Sequence, residues 1–150
     1  MKSSGLHSNG FAKVRELFGE TVRDEFTIPT RIYDEAIRAL DNVVDIHGMM
    51  HITGGAFTKL KDVGEEVDII LKQGEELAPQ KIFTEIYQKG VPDTEMYQTF
   101  NCGIGFVFSI SDKETHKIPK DIRVFPLGIV QQGQGKVIIT SAFSGKEVVL

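Results

Sequence analysis

The sequence predicts an α+β domain with a mixed sheet, on three observations. Helical and strand-like hydrophobic spacings follow one another along the chain, a pattern that excludes an all-α or an all-β fold. The last two strand-like runs flank Gly133-Gln134-Gly135, a turn sequence that predicts an antiparallel hairpin. With 150 residues, 41% of them hydrophobic, the chain is long enough to bury its own core, and we expect one domain over residues 1–150.

Four segments have the spacing of a helix with one apolar face. In the first, Phe11, Val14 and Phe18 recur at helical intervals. Ser8 or Asn9 is expected to cap its N-terminus, because a short polar side chain can accept hydrogen bonds from the first turn. The other three helices are predicted to begin at Asp34, Pro79 and Asp93.

Five runs are typical of strands. Residues 49–53 lead into Gly54-Gly55, after which a short helix is expected. Residues 104–110 form the most apolar run and predict a buried strand. The other predicted strands cover residues 67–71, 124–130 and 136–140.

Charge and hydropathy exclude several classes of function. The net charge is −4, so the chain lacks the basic excess of a nucleic-acid-binding protein. The longest uncharged stretch, residues 96–111, contains polar side chains and falls short of the ~20 apolar residues that a membrane span needs. The first residues contain no apolar leader, and Cys102 is the only cysteine. We therefore expect a cytoplasmic protein that binds neither a membrane nor nucleic acid.

Two glycine-containing loops precede helices and suit an anion. Residues 5–10 read Gly-Leu-His-Ser-Asn-Gly, and residues 51–55 read His-Ile-Thr-Gly-Gly. A loop at a helix N-terminus presents free N–H groups to a phosphate or carboxylate, and glycines let a ligand approach the backbone. Spacing alone leaves a plain helix cap open for the first loop and a tight turn without ligand open for the second.

Three further features have residue types that can bind a metal, act as a nucleophile or bind an anion. His47 and His51 have the spacing of zinc ligands on a helix, but Gly48 replaces the expected glutamate and a strand is predicted there, so no metal site is expected. Cys102 is either a nucleophile or inert packing, and we expect packing. Arg31 either clamps a phosphate or carboxylate or forms a surface ion pair.

Four motifs, taken in order, resemble one enzyme family. They are SSGLHSNGF at residues 3–11, PTRIY at 29–33, HGMMHITGG at 47–55, and the segment 95–105 that ends in TFNCGIG. In sequence and separation they are similar to the C-terminal half of phosphoribosylformylglycinamidine cyclo-ligase, also called aminoimidazole ribonucleotide synthetase. The resemblance covers residues 3 to about 139. It implies a three-layer α/β/α domain with a mixed sheet and partly ferredoxin-like topology.

The resemblance also implies an activity. The family uses ATP to phosphorylate the formyl oxygen of formylglycinamidine ribonucleotide, after which the amidine nitrogen closes an imidazole ring in purine biosynthesis. His51 becomes the candidate catalytic residue, because histidine titrates near neutrality. The resemblance assigns the substrate and its phosphate to His7, Ser8, Asn9, Gly10, Arg31, Thr53, Gly54 and Gly55, with Asn101 and Gly103 added.

Two departures from the family pattern stand out. Ala56 occupies the place of a usual third glycine after Gly54-Gly55. The N-terminal half of the family, which carries an Asp-Gly-Val-Gly-Thr-Lys loop, the ligands of Mg²⁺ and ATP and the main dimer interface, has no counterpart in this sequence. We therefore expect no ATP or metal on this chain alone and no activity without an N-terminal half, in cis or as a separate chain. A homodimer is a further implied partner.

Two alternatives stay open at this point. The chain could be a stand-alone ribonucleotide- or phosphate-binding module without catalysis. It could also be half of another ATP-using enzyme of the same superfamily, such as selenophosphate synthetase, thiamine-monophosphate kinase or the hydrogenase maturation factor. The strings at residues 51–55 and 99–105 favour the cyclo-ligase over these relatives.

Overall fold

The computed structural model describes residues 1–150 and contains four α-helices and six strands. The helices are α1 (Phe11–Phe18), α2 (Asp34–Asp41), α3 (Lys81–Gln88) and α4 (Asp93–Thr99). The strands are β1 (Gly48–His51), β2 (Val67–Lys72), β3 (Phe106–Ser109), β4 (Gly128–Gln132), β5 (Val137–Thr140) and β6 (Glu147–Val149). Short 3₁₀-helices cover Asp24–Phe26, Ala56–Val63, Glu75–Leu77 and Asp112–Lys117. No helix combines the length and the apolar character needed to cross a bilayer.

The strands form a mixed sheet and a separate ribbon. The four-stranded sheet has the order β4-β2-β5-β6, in which β2 pairs antiparallel with β4 and parallel with β5. Strands β1 and β3 form a two-stranded antiparallel ribbon, with His51 opposite Phe106. Helices together with a mixed sheet confirm the α+β prediction.

The predicted hairpin between β4 and β5 is wrong, because β2 lies between them. The connecting turn bonds to β2 instead of closing on itself. One carboxylate oxygen of Asp68 accepts the backbone N–H groups of Gln134 at 2.8 Å and of Lys136 at 2.9 Å. The N–H of Gly133 reaches the carbonyl of Glu66 at 2.8 Å. The glycines therefore carry the chain around the end of β2.

Two apolar clusters hold the domain together. The main core has 23 buried residues and the second has 4, so the main core supplies most of the hydrophobic stabilisation. In the main core, Ile69 and Leu71 of β2 lie beside Val137 and Ile139 of β5. Helices α3 and α4 and the 3₁₀-helix Ala56–Val63 contribute the remaining large side chains, including Phe83, Tyr97, Phe57 and Leu60.

The second cluster lies under the ribbon. Leu40 of α2 and the following Val44 pack with Tyr33 and with partly buried side chains of β3. The expectation of a buried strand fails for β3, since Phe106–Ser109 are only half-buried. The ribbon contains only two strands, so most of β3 has no neighbouring strand on its second edge. Ile104, just before the strand, is fully buried.

Helix α1 begins without the expected side-chain cap. Gly10 is the N-cap residue, at φ 78°, and neither Ser8 nor Asn9 caps the helix. A Cβ on Gly10 would lie 2.2 Å from the ring of Phe100, so this position requires glycine. Close contact with Phe100 therefore sets the start of the helix.

Candidate ligand-binding site

Three rings meet where the ribbon joins the main core. His51 ends β1, while Ile52, the next residue, is buried in the main core. Tyr33 stands before α2, and His7 lies in the loop before α1. The His51 ring is 5.8 Å from the His7 ring and 5.5 Å from the Tyr33 ring, measured between centroids. The fold thus unites the first, second and third of the sequence motifs.

His7 is the most constrained of the three. His7 is 3% exposed, and its backbone has the left-handed conformation with a φ of 58°. Its ring Nε2 accepts the backbone N–H of Ser4 at 3.2 Å, whereas Nδ1 is buried without a partner. Burial lowers the pKa of His7 to about 4, and the positive charges of His51 and Arg31 act in the same direction. His7 is therefore neutral at pH 7.

His51 faces an open groove. It lines a space of about 400 Å³ together with Arg31, Tyr33, Phe106 and neighbours on α2. Its ring stacks on Phe106 with 6.0 Å between centroids. The Nε2 atom is buried without a partner, and burial lowers the pKa of His51. A neutral imidazole that lines a groove is suited to proton transfer with a bound ligand.

Arg31 supplies positive charge to the same groove. Its side chain is exposed and takes part in no ion pair, so the predicted alternative of a surface salt bridge is absent. The Ser4 hydroxyl donates to the carbonyl of Pro29 at 2.7 Å and accepts the N–H of Arg31 at 3.1 Å. These two bonds hold the Arg31 backbone against the His7 loop.

The two glycine-containing loops touch each other. A Cβ on Gly54 would lie 3.1 Å from the side-chain oxygen of Asn9, so the absence of a side chain at Gly54 makes room for Asn9. Gly55 has a left-handed φ of 79° and is exposed. The hydroxyls of Ser8, which is exposed, and Thr53, which is half-buried, form no hydrogen bond within the chain. Polar groups of both loops are thus free to bind a ligand.

Asn101 and Gly103 support the loop at residues 5–10 from the protein interior. The amide nitrogen of Asn101 donates to the carbonyl of Gly5 at 2.8 Å, and its oxygen accepts the N–H of Gly103 at 3.0 Å. A Cβ on Gly103 would lie 3.1 Å from the backbone of Pro79. Both residues are buried and their contacts are with the protein, so they fix the loop that carries His7.

Backbone strain concentrates in the motif loops. Three non-glycine residues have positive φ angles, namely His7 at 58°, Ala56 at 42° and Cys102 at 47°. His7 and Cys102 lie inside the first and fourth motifs, and Ala56 directly follows the third. Such conformations cost of order 1–3 kcal/mol each and cluster at functional sites. Ala56 keeps the tight turn even though the family usually has glycine there.

The remaining candidates do not join the site. Cys102 is fully buried, and burial raises the pKa of its thiol, which agrees with inert packing. His47 is exposed and lies 3.6 Å from a carboxylate oxygen of Asp45. No group of three or more His, Cys, Asp or Glu side chains is placed to hold a metal ion. The residues of this chain therefore do not fit a Mg²⁺ site.

Sequence reasoning overlooked Ser4 and Tyr33, although both stand inside the motifs. The Tyr33 hydroxyl donates to the carbonyl of Lys2 at 3.0 Å. It occupies the space beside Gly105, where a Cβ would lie 1.7 Å from the hydroxyl oxygen. Tyr33 and Gly105 belong to separate motifs. Their close contact could be predicted from the sequence only if the two segments were known to touch.

Comparison with known proteins identifies the family of the chain. The family described as AIR synthase related protein, C-terminal domain, matches residues 1–140. The chain belongs to this family. The match includes all four motifs, and it confirms the resemblance seen in the sequence.

Individual relatives of this family extend the comparison. The chain is 34% identical to a phosphoribosylformylglycinamidine cyclo-ligase of Methanocaldococcus jannaschii, over 99% of this chain and 46% of the relative. It is 34% identical to the cyclo-ligase of Methanothermobacter thermautotrophicus, over 100% of this chain and 49% of the relative. It is 32% identical to the cyclo-ligase of Clostridium perfringens, over 91% of this chain and 46% of the relative. The chain thus spans about half the length of these curated relatives.

Proposed function

We propose that this chain is the C-terminal, substrate-binding part of a phosphoribosylformylglycinamidine cyclo-ligase. The observation that carries the proposal is the groove of an AIR synthase related C-terminal domain, in which neutral His51 and unpaired Arg31 lie side by side. The groove offers one fixed positive charge and one proton-transfer group. A ribonucleotide whose amide-like carbon reacts needs both kinds of contact.

The complete enzyme would join an amidine nitrogen to the formyl carbon of formylglycinamidine ribonucleotide. ATP supplies a phosphoryl group to the formyl oxygen, so that the carbon–oxygen bond breaks with phosphate as the leaving group. The attacking nitrogen loses a proton as the ring closes. Most of the catalytic effect is then positioning and charge stabilisation.

Residues of this chain would act on the ribonucleotide. Arg31 would pair with its phosphate, because the guanidinium matches phosphate geometry and has no protein partner. The polar groups and N–H groups of the two touching loops would hold the ribose and phosphate oxygens. These loop residues are Ser8, Asn9, Gly10, Thr53, Gly54 and Gly55. His51, neutral at pH 7, would transfer a proton at the reacting centre or stabilise the negative charge that develops on oxygen there.

The proposal includes an N-terminal half as partner. That half, in cis or as a separate chain, would supply the ATP and Mg²⁺ ligands and a homodimer interface. A cytoplasmic location belongs to the same proposal, since the lone Cys102 fits a reducing compartment.

Reconstitution tests the proposal. The coding sequence upstream of the Met1 codon is read first for an Asp-Gly-Val-Gly-Thr-Lys loop, and the encoded half, or the N-terminal half of the Methanothermobacter relative, is added to this chain. With ATP, Mg²⁺ and formylglycinamidine ribonucleotide we expect turnover that needs both halves. His51→Ala should lower kcat roughly 10²–10⁴-fold, whereas His47→Ala, four residues away and exposed, should leave it unchanged.

Two outcomes contradict the proposal in different ways. Equal turnover with His51 and His51→Ala would remove the role of His51 in proton transfer. Absence of turnover with every N-terminal half, combined with ribonucleotide binding that Arg31→Ala abolishes and Arg38→Ala spares, would identify a stand-alone binding module. Arg38 is a suitable control because it is paired with Asp34 at 2.9 Å on α2.

A further inference from the structure

Two buried ring nitrogens lack any partner, and they belong to adjacent histidines. They are Nδ1 of His7 and Nε2 of His51, and no other buried side-chain nitrogen or oxygen is left unpaired. A buried polar atom without a hydrogen bond destabilises the fold, because it has lost its contact with water and gained none in return. The centroids of the two rings are 5.8 Å apart and no hydrogen bond joins the rings directly, a separation that one bridging water can span.

The hydrogen bond from Ser4 defines the tautomer of His7. A backbone N–H can only donate, so the ring Nε2 that it reaches at 3.2 Å must be the unprotonated acceptor. A neutral imidazole then carries its hydrogen on Nδ1. The unpartnered atom of His7 is therefore a buried N–H donor.

The unpartnered atom of His51 is the complementary acceptor. The His51 ring lines the groove, while its Nε2 is buried on the side without solvent. The nitrogen left for a ligand is Nδ1. If Nε2 receives a hydrogen bond, a neutral His51 must hold its own hydrogen on Nδ1, where a substrate can meet it.

We propose that His7 is a positioning residue for His51: its Nδ1 hydrogen is linked to His51 Nε2 through one buried water, and so it presents His51 to the groove as the Nδ1–H tautomer. This inference rests on the proposed function, because it assigns the state in which His51 meets the substrate. It makes His51 a donor to an acceptor atom, such as the formyl or phosphoryl oxygen, when the substrate binds.

The surroundings of the pair favour this arrangement. Arg31 and Asp34 line the groove with His51, and the charge of Arg31 helps to lower the pKa of His7, which disfavours a positive charge on that ring. Tyr33 lies against both rings, but its hydroxyl is committed to the carbonyl of Lys2 and provides neither ring with a partner. The histidines are thus left to satisfy each other.

Two substitutions at residue 7 separate positioning from packing. In His7→Asn the amide nitrogen stands near the place of Nδ1 and can still donate, and asparagine tolerates the left-handed backbone at φ 58°. In His7→Gln the end of the side chain stands near the place of Nε2. It can still accept from Ser4 but offers no donor near His51. The inference expects Asn to preserve the state of His51 and Gln to abolish it.

The test is histidine ¹⁵N NMR on the chain itself, which reports each tautomer without requiring turnover. At pH 7 we expect His7 and His51 of the unmodified chain to be single Nδ1–H tautomers. We expect His51 to remain so in His7→Asn and to become a mixture in His7→Gln. Finding His51 as Nε2–H in the unmodified chain, or as unchanged Nδ1–H in His7→Gln, would overturn the inference. The spectrum of the unmodified chain decides which tautomer His51 has, even if a variant does not fold.

Turnover in the reconstituted enzyme gives an independent readout. His7→Gln should lower kcat at least tenfold with little change in KM, while His7→Asn should restore most of it. A purely structural role would instead make activity follow the thermal stability of the two variants. If the tautomers are as expected but no N-terminal half gives turnover, the positioning stands and the proposed function fails.

Discussion

At the scale of single residues, His7 shows how backbone, burial and charge act on one side chain. Its left-handed φ of 58° turns the ring inward, where Ser4 occupies one nitrogen and no group occupies the other. An imidazolium there would lose its water and meet the charge of Arg31, which is why the pKa falls. The residue is therefore held neutral by its surroundings.

This lowered pKa predicts a pH-dependent stability. The unfolded chain binds a proton at His7 near pH 6.5, the folded chain only near pH 4. Keeping His7 neutral therefore contributes fully to the free energy of unfolding above pH 6.5. This contribution is lost as the pH falls toward 4, by up to about 3 kcal/mol. Urea unfolding of the unmodified chain and of His7→Asn at pH 7 and pH 4.5 measures it. The stability advantage of the unmodified chain should shrink at pH 4.5; an advantage independent of pH would contradict the shift.

Gly10 gives a second residue-scale prediction. A Cβ there would lie 2.2 Å from the Phe100 ring and would strain a φ of 78°. Gly145 has a similar φ of 74° but open space around it. Gly145→Ala should therefore cost ~1–2 kcal/mol of unfolding free energy from strain alone. Gly10→Ala should cost ~1–3 kcal/mol more. Equal losses of unfolding free energy in the two variants, measured by urea unfolding, would show that the Phe100 ring moves aside without an energetic cost.

At the scale of elements, β2 organises the sheet. It pairs with β4 on one edge and β5 on the other, and the turn between those two strands crosses its end. Asp68 is the group that anchors the turn, and its two backbone hydrogen bonds lower the pKa of its carboxyl. The Asp68 side chain, together with backbone hydrogen bonds from Gly133 to Glu66 and from Gly135 to Val67, thereby holds the turn in place of the pairing that a hairpin would have made.

The anchor can be tested by removing its acceptor. Asp68→Ala should lower the urea midpoint and speed amide exchange at Gln134 and Lys136, because both N–H groups lose their partner. Asp68→Asn keeps an acceptor oxygen and should have a smaller effect on both. Unchanged exchange at these two amides in Asp68→Ala would show that the carboxylate is not what holds the turn.

At the scale of the whole molecule, β4 is an edge strand with little protection. All five of its residues are exposed, Ile129 to 59% and Val130 to 44%, and none is charged. Its outer edge has no strand beside it. Natural proteins usually guard such edges with charge, proline or a bulge, since unpaired edges invite association.

We therefore expect the chain alone to self-associate at high concentration through β4. Ile129→Lys should weaken this association in light scattering, because it places a charge on the free edge. Val22→Lys is the matched control, as Val22 is 87% exposed but outside the sheet. A monomer at every concentration, or equal effects of the two substitutions, would contradict an interface at β4.

Local chemistry made much of this protein readable from its sequence. All four helices stand where the apolar spacing predicts them, since each must bury one face: Val14, Leu40, Ile86 and Met96 are all buried. The loops at residues 5–10 and 51–55 are recognisable because glycines interrupt regular structure and short polar residues favour the start of a helix. The roles given to their residues remain proposals.

Features that depend on distant neighbours were out of reach of such reading. The turn sequence at residues 133–135 resembles a hairpin, and only the packing of Ile69 and Leu71 against β5 places β2 between its arms. Likewise, nothing local distinguishes His7 from a surface histidine before a helix. Its neutral state arises from Ser4, His51 and Arg31 closing around it, because burial and electrostatic fields are properties of the assembled fold and not of the adjacent residues.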